Sequence, residues 1–416
     1  MHSHSLERIM RAKLILSVMA VSIFCPTLWG GGWNNTLMGA RAIAMGAAFA
    51  GVADDPSAIY YNPAGLAFQN SRFNLSIDGF YIMPTHEYVS PAGVSSQSQY
   101  SSSVPQLFVT YQTNERMTIG FGVYVPYAGG GVEWSDGQLP IPALKSYLGV
   151  VSFTPTVSYQ FSEKFSMGLN INLYRSTFEL DTQTDSLGHM KAEENGSSFS
   201  AGFGVMYKPS ERWSFGMSVR GPSRMTLTGK TTVTVEVPDF GNVALGLDSE
   251  TKFDLPWDIE VGLSYRFSDK FLLTGSAQYT MWSTLDSLDK TIKDVPRPDL
   301  STYDIHQEEP MNFKDILIVR VGFEYNISGG LALRAGIGVD RAAMPAEYLN
   351  FTNIDVDKFT LLGGIGYRTG RMSINFAYIL AQGKEREKKG FTPPFGLPGS
   401  YNLSASIVGL GITYSY

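Results

Sequence analysis

From about residue 71 to its end the chain repeats one pattern: stretches of roughly ten residues in which apolar side chains alternate with polar or small ones. Phe165, Met167, Leu169, Ile171 and Leu173 make one such face, and Leu317, Val319, Val321, Phe323 and Tyr325 another. Strand side chains point alternately to opposite faces, so each stretch reads as a strand with one apolar face and one mixed face. About fourteen such stretches occur, an even number, as bacterial membrane barrels require. Short polar connections (112–116, 162–164, 209–212, 268–270, 326–330 and 369–371) take turns with long ones (84–103, 126–148, 176–196, 221–254, 284–311, 341–356 and 383–399). Short turns at one end and long loops at the other are the arrangement of an outer-membrane barrel. A soluble sandwich alternates too, but does not sort its loops this way.

Composition agrees. Charged residues make up 17%, below the ~25% usual in soluble proteins. Aromatics reach 13%, and they collect at strand ends as an interfacial girdle would. Mean hydropathy is only −0.04, so the apolar surface comes from alternation, not from long greasy helices. The net charge of −6 offers no basic surface for nucleic acid. The expected fold is therefore all-β: a 14-stranded antiparallel transmembrane barrel over residues 71–416, in the bacterial outer membrane.

The only continuous apolar run is Leu14 to Phe24, preceded by Arg8, Arg11 and Lys13. It falls short of the ~20 residues a spanning helix needs and fits a secretory signal over residues 1–30. Cleavage is expected between Cys25 and Gly31. Phe24 stands where a lipoprotein signal would place a small residue, so Cys25 is not read as a lipidation site.

Residues 31–70 precede the first strand and do not alternate. Fourteen strands enclose more lumen than their own side chains fill, so this segment is the expected plug. Its first half is rich in Gly and Ala. Asp55-Pro56 and Asn62-Pro63 each read as a cap followed by proline at the first helical position. Short helical turns joined by tight bends should result. Arg41, Asp54 and Asp55 are charges expected to lie inside the lumen. Either they form an ion-paired latch, or the two acids only cap a helix.

The stretch Gly39 to Ala67, with its opening Gly39-Ala40-Arg41-Ala42, paired Asp54 and Asp55, and the triplet Asn62-Pro63-Ala64, resembles the N-terminal hatch of the FadL family of outer-membrane transporters. Further matches fall at 143–174, 279–288, 331–349 and 359–380. The resemblance implies a barrel plugged by the hatch, and import of long-chain fatty acids or, in relatives, aromatic hydrocarbons. Ligand would be caught by extracellular loops, passed to an internal apolar pocket, and released sideways at a kinked third strand, with no cofactor and no catalysis. That strand is 117–126. Gly120, Gly122 and Pro126 are its candidate kink residues; the alternative is that the two glycines only make room for crowded neighbours. Final Tyr416 stands where most such barrels end in Phe.

Candidate ligand-binding residues are Phe49 in the hatch, Tyr124, Tyr127, Trp134, Leu144 and Leu148 in the second long connection, and Phe391 and Phe395 in the last. They are apolar for loops and read either as a greasy landing groove or as loops packed on one another. Arg175, Arg220, Arg320 and Arg334 are candidates to line the lumen. The mixed-sign run 384–389 reads as a solvated loop, or as a contact to lipopolysaccharide phosphates. His86, His189 and His306 sit in three separate connections, with no metal or triad spacing. The partners expected are a hydrophobic small molecule, outer-membrane lipid and lipopolysaccharide; the barrel is expected to be a monomer. A hydrophilic porin is the rival, weakened by the apolar hatch.

Overall fold

In the bilayer interior no water is available to the backbone, so a spanning sheet must pair every strand on both sides. The computed structural model, described over residues 31–135, 143–184, 188–237, 241–297, 299, 301–392 and 396–416, meets this demand with one sheet. Its strands are β1 (Phe73–Val89), β2 (Ser95–Ser98), β3 (Ser102–Asn114), β4 (Met117–Trp134), β5 (Leu144–Ser162), β6 (Phe165–Thr184) and β7 (Gly188–Tyr207). Then come β8 (Trp213–Arg220), β9 (Ser223–Val237), β10 (Gly241–Leu255), β11 (Asp258–Ser268), β12 (Phe271–Thr280), β13 (Ser287–Pro296) and β14 (Thr302–Pro310). The last are β15 (Ile316–Asn326), β16 (Leu331–Asp340), β17 (Lys358–Thr369), β18 (Met372–Gly383), β19 (Arg386–Lys388) and β20 (Gly399–Ser415).

Fourteen of these, β1, β3 to β8, β11, β12, β15 to β18 and β20, pair antiparallel in a ring. The ring closes where β1 runs beside β20, from Asn74↔Ser415 to Val89↔Ser400. Each falls on one of the alternating stretches. The outward residues form an apolar band, with Leu169, Ile171 and Leu173 on β6 at 57%, 51% and 47% exposure. Such a surface belongs in lipid.

Several of the long connections are strands rather than the expected loops, while residues 341–356 stay irregular apart from one short 3-10 turn. β6 and β7 run on as one long hairpin to Thr184↔Gly188, and β9–β10 and β13–β14 are further hairpins. Above the band the outward positions turn polar, as Arg175, Thr177 and Glu179 do on β6, while Phe178 and Leu180 stay buried on the other face. The alternation persists, but its apolar face has turned inward. These hairpins, with β2 and β19, build an extracellular cap around one apolar core that includes Trp33, Trp134, Trp282, Phe313 and Phe351. The run 384–389 edges this cap, with Lys384, Glu385, Glu387 and Lys389 exposed and Arg386 and Lys388 turned into it. Arg386 donates to the carbonyls of Met344 and Asp355, both at 2.7 Å, and Lys388 is buried.

Residues 31–70 lie inside the ring. They hold α1 (Ala40–Ala44), α2 (Ala58–Tyr61) and a 3-10 turn (Pro63–Phe68), and most are buried. Helices this short are not stable alone. Lumen-facing wall residues satisfy their backbone. Asn170 Nδ2 donates to the Ile59 carbonyl at 2.9 Å, Thr274 Oγ1 to Ala48 at 2.7 Å, and Ser166 Oγ to Ala64 at 2.8 Å. Where the hatch backbone presses on the wall, the wall has glycine. A Cβ on Gly336 would fall 2.4 Å from Gly46 Cα. Gly46 itself has φ +76°, a left-handed backbone that glycine adopts without strain, and a Cβ there would fall 2.7 Å from the Val321 carbonyl oxygen.

Gly336→Val is therefore expected to force hatch and wall apart while leaving the outer strands paired. Overpacking of this kind costs about 1–3 kcal/mol. The heat-modifiable gel shift should occur at lower temperature, and steady ion current in planar bilayers should rise. A wild-type profile in both would refute the close-contact reading.

Candidate functional site

The Arg41 side chain leaves α1 toward the periplasmic end of the lumen. Its guanidinium meets Asp54 Oδ1 at 2.5 Å, Asp55 Oδ2 at 3.4 Å and, on the wall strand β15, Glu324 Oε2 at 3.0 Å. Arg334 of β16 donates to the same Glu324 oxygen at 2.7 Å and to Asn375 at 3.0 Å. Asp55 serves two ends, because its Oδ1 also accepts from the Ser57 N–H at 2.9 Å. The latch is thus present, while the expected cap at Asp55 with Pro56 as first helical residue is not: α2 starts at Ala58 with Ser57 as its N-cap, and Asp55 braces the turn before it. A charge taken from water is tolerable only when paired, and five charged groups here share that cost.

Asn62 is wholly buried and joins hatch to wall. Its Nδ2 donates to Ala50 at 3.1 Å and to Val205 of β7 at 2.9 Å, while its Oδ1 accepts from the Ala64 N–H at 3.2 Å. Pro63, with no N–H to satisfy, opens the 3-10 turn. Gly39 takes φ +68° and leads into α1, whose first N–H bonds Asp78 at 2.8 Å; the Gly39 N–H bonds Gln106 at 3.0 Å. Phe49 lies in the hatch core, edge-on to Tyr61 and beneath Arg41, not at an open cavity.

The other end of the hatch carries Trp33. Its indole is fully buried and edge-on to Phe253, Trp282 and Phe313, with ring centroids 5.2, 5.8 and 5.9 Å away. Trp282 in turn donates to the Gly31 carbonyl at 2.8 Å. Tyr127 completes the wall of this aromatic cage, between Trp282 and Tyr174. Trp134, Leu144 and Leu148 belong to the same apolar core, and Trp134 Nε1 donates to the Phe351 carbonyl at 2.9 Å. Tyr124 sits one level down, stacked on Phe108 and bonded to Asn172 at 3.1 Å. Phe391 is exposed, apart from the cage, and Phe395 lies outside the described residues.

The wall is interrupted beside the cage. β3 and β4 pair only as far as Leu107↔Val123, although both strands continue. At that height β4 has a bulge: Val125 and Pro126 stand opposite Val151 alone, between the pairs Tyr124↔Ser152 and Tyr127↔Val150. Proline is at home in a bulge, and a bulge bends the strand. The freed edge of β4 is closed from inside by the hatch. Asn35 N donates to Pro126 O at 2.8 Å, Ala128 N donates to Trp33 O at 3.1 Å, and Asn34 bridges Tyr127. Of the three candidate kink residues, Pro126 is at the break. Gly120 and Gly122 lie below it in regular pairing, where a Cβ would crowd Ile59 of the hatch at 3.0 and 3.1 Å. They make room for the hatch.

Sequence reasoning missed Glu324 and Trp33. Glu324 was detectable as an acid at an inward position between outward Phe323 and Tyr325. Trp33 carried no local signal. Arg220, Arg320 and Arg334 face inward as expected; Arg175 does not, and bonds Ser197 on the outer surface. Among the described residues no cluster of His, Cys, Asp and Glu is placed to hold a metal.

A family model described as outer membrane protein transport protein (OMPP1/FadL/TodX) matches residues 34–416. Outer membrane protein P1 of Haemophilus influenzae is 23% identical, over 89% of this chain and 93% of that protein. The fold is similar to the crystal structure of a Pseudomonas aeruginosa FadL homologue, with a TM-score of 0.77 and 18% identity over 92% of this chain and 99% of that one. It is also similar to the Pseudomonas putida toluene transporter TodX, with a TM-score of 0.71 and 18% identity over 94% and 99%.

Arg41→Ala should strip two hatch acids and one wall acid of their shared cation. Removing one partner of a buried pair costs about 3–5 kcal/mol, and partial solvent access here lowers that toward about 2. Arg41→Ala with Glu324→Gln should cost less than the sum of the two single changes, read as barrel unfolding temperatures. Strict additivity would mean that the two groups do not interact.

Proposed function

We propose a function from the premise that the chain belongs to the OMPP1/FadL/TodX family of outer membrane transport proteins, residing in the bacterial outer membrane and serving hydrophobic compounds. The reading is import without energy coupling. An apolar molecule enters the cap, displaces Trp33 from its aromatic cage, and leaves through the β3–β4 break into the bilayer. The observation that carries it is one coincidence of place. Within residues 33–35 the Trp33 side chain fills the apolar core while the backbone seals the freed edge of β4. An incoming ligand that takes the place of the Trp33 ring therefore loosens the seal beside it.

The physical need is plain. The hydrocarbon interior accepts an oily molecule readily, while the charged outer leaflet holds it back. A dry path past that leaflet and a gap in the wall suffice. Steady opening to polar solutes is prevented by the hatch, whose backbone is bonded all round to the wall.

Within this class the cage favours a ring-bearing, uncharged compound. Edge-to-face contacts reward a flat aromatic guest, and Trp33 already makes three of them. Two of the buried cations near the core are already paired: Lys290 with Glu194 at 3.7 Å, and Arg320 with Asp340 at 3.5 Å and Gln278 at 2.8 Å. A carboxylate drawn to either of these two would have to break its pair. Long-chain fatty acids are the second reading, favoured by the extent of the apolar core, which runs from Trp33 to Tyr88 and Tyr401.

Expressed in cells lacking their own hydrophobic-compound channel, the protein should raise accumulation of labelled toluene above vector control, with labelled oleate competing weakly. Trp33→Ala should keep toluene uptake and shift the balance toward larger guests. Equal uptake in vector and expressing cells for both compounds would overturn the reading, as would a large steady conductance to ions.

A further inference from the structure

The wall has a second interruption, four strand seams round the ring from the β3–β4 break. β7 pairs with β8 from Tyr207↔Phe215 to Gly202↔Arg220, and with β9 from Gly196↔Leu227 upward. Between these ladders, residues 197–201 of β7 have no strand partner on that side. The chain opposite turns there through Gly221 and Pro222, and Pro222 has no N–H to offer. Three bonds span the gap: Gly221 N to Ala201 O at 2.8 Å, and Ser223 Oγ to Ser198 Oγ and to Phe199 O, both at 2.9 Å.

On the outer surface this interruption is a groove of about 750 Å³. Leu169, Phe199, Phe203, Val219 and Trp257 line it, all within the apolar band. Phe199 is 72% exposed, its ring standing clear of the wall. At the upper rim stand two arginines. Arg224 lines the groove, and its one ion-pair contact is Asp254 at a long 3.9 Å. Arg175 donates to Ser197, another lining residue, at 2.9 Å. Along β6 and along β9 these are the first charged outward residues above the band, so both lie at the level of the outer-leaflet headgroups. Asp254, cross-strand from Arg224, is the one acid at this rim, and the next outward acids, Glu179 and Glu193, stand opposite each other four residues further out.

We propose that this groove binds one molecule of lipid A, the phosphorylated, multiply acylated anchor of lipopolysaccharide. A phosphate meets Arg175 and Arg224, and an acyl chain fills the groove along Phe199 and Trp257. Arginine presents planar, fork-like donors that suit phosphate, and a lipid on the wall loses less by ordering in a groove than on a smooth strand face. The occupant seals from the lipid side a place where the ladder is missing. Transport by the β3–β4 route does not depend on it.

The test is native mass spectrometry of the full-length barrel in mild detergent, titrated separately with purified lipid A, phosphatidylglycerol and phosphatidylethanolamine. One lipid A should be retained per barrel, in preference to either phospholipid. Arg175→Gln with Arg224→Gln should reduce that retention about tenfold, which corresponds to ~1.4 kcal/mol. Arg371→Gln at the periplasmic end should not change it. Phe199→Ala, which removes no polar contact, should also weaken retention, and it stands as the test if the double variant loses its heat-modifiable folded band. Retention of phosphatidylglycerol equal to lipid A would overturn the proposal. So would lipid A retention unchanged in a folded double variant or, where that variant does not fold, in Phe199→Ala.

Discussion

A sheet that spans lipid must close, and closing fourteen strands leaves a bore that side chains do not fill. The remaining features answer that one constraint. The bore is filled with polypeptide backbone, and backbone brings unpaired carbonyls and N–H groups with it. The inward face of the wall is accordingly not uniformly greasy. It offers Asn170, Ser158, Ser166 and Thr274 as donors and Asp78 and Gln106 as acceptors, each placed against a hatch group. Where no side chain fits between, it offers glycine. The inward-facing sequence of the barrel is the negative of the hatch.

The ring was legible because lipid enforces contrast. Along the ring strands the outward residues are apolar while most inward ones are polar or small, with Phe80, Phe108 and Ile379 among the exceptions, and a period of two stands out. Above the bilayer that contrast inverts. Outward Arg175 and Thr177 meet water while Phe178 and Leu180 turn into the cap, so a strand resembles a polar loop with stray apolar residues. For that reason the hairpins β9–β10 and β13–β14 were hidden. The hatch motif gave away the segment that plugs the bore, and Arg41, Asp54 and Asp55 as residues that meet. It gave no hint of Trp33, whose role depends on Phe253, Trp282 and Phe313, more than two hundred positions away. The break in the wall was traceable to Pro126, since proline within an otherwise regular strand forces a bulge or an edge. The neighbouring glycines mislead, because close packing against the hatch leaves the same mark in sequence as flexibility does.

The two wall interruptions differ in what covers them. At β3–β4 the chain supplies its own cover through a few backbone bonds from residues 33–35, so the cover opens if those residues leave. At β7–β8 Ser223 and Gly221 bridge the gap, and no part of the hatch lies along it as a strand. Polar residues back this second gap, among them Ser200, Asn172 and Arg220, with Arg220 bonded to the Tyr60 carbonyl at 3.2 Å. An apolar molecule gains nothing by passing there. The chemistry behind each opening, rather than its width, separates a release route from a flaw to be covered.

The partners of the hatch also impose a chronology. Arg41 finds Glu324 across 283 positions, Thr274 reaches Ala48 across 226, and Asn170 reaches Ile59 across 111. The segment near the beginning of the chain thus has nothing to fold against until most of the strands after it are in place. Contacts of such long separation form late. During assembly the hatch must wait, unstructured, while the cylinder is built around it, and a barrel halted part-way would be left uncorked.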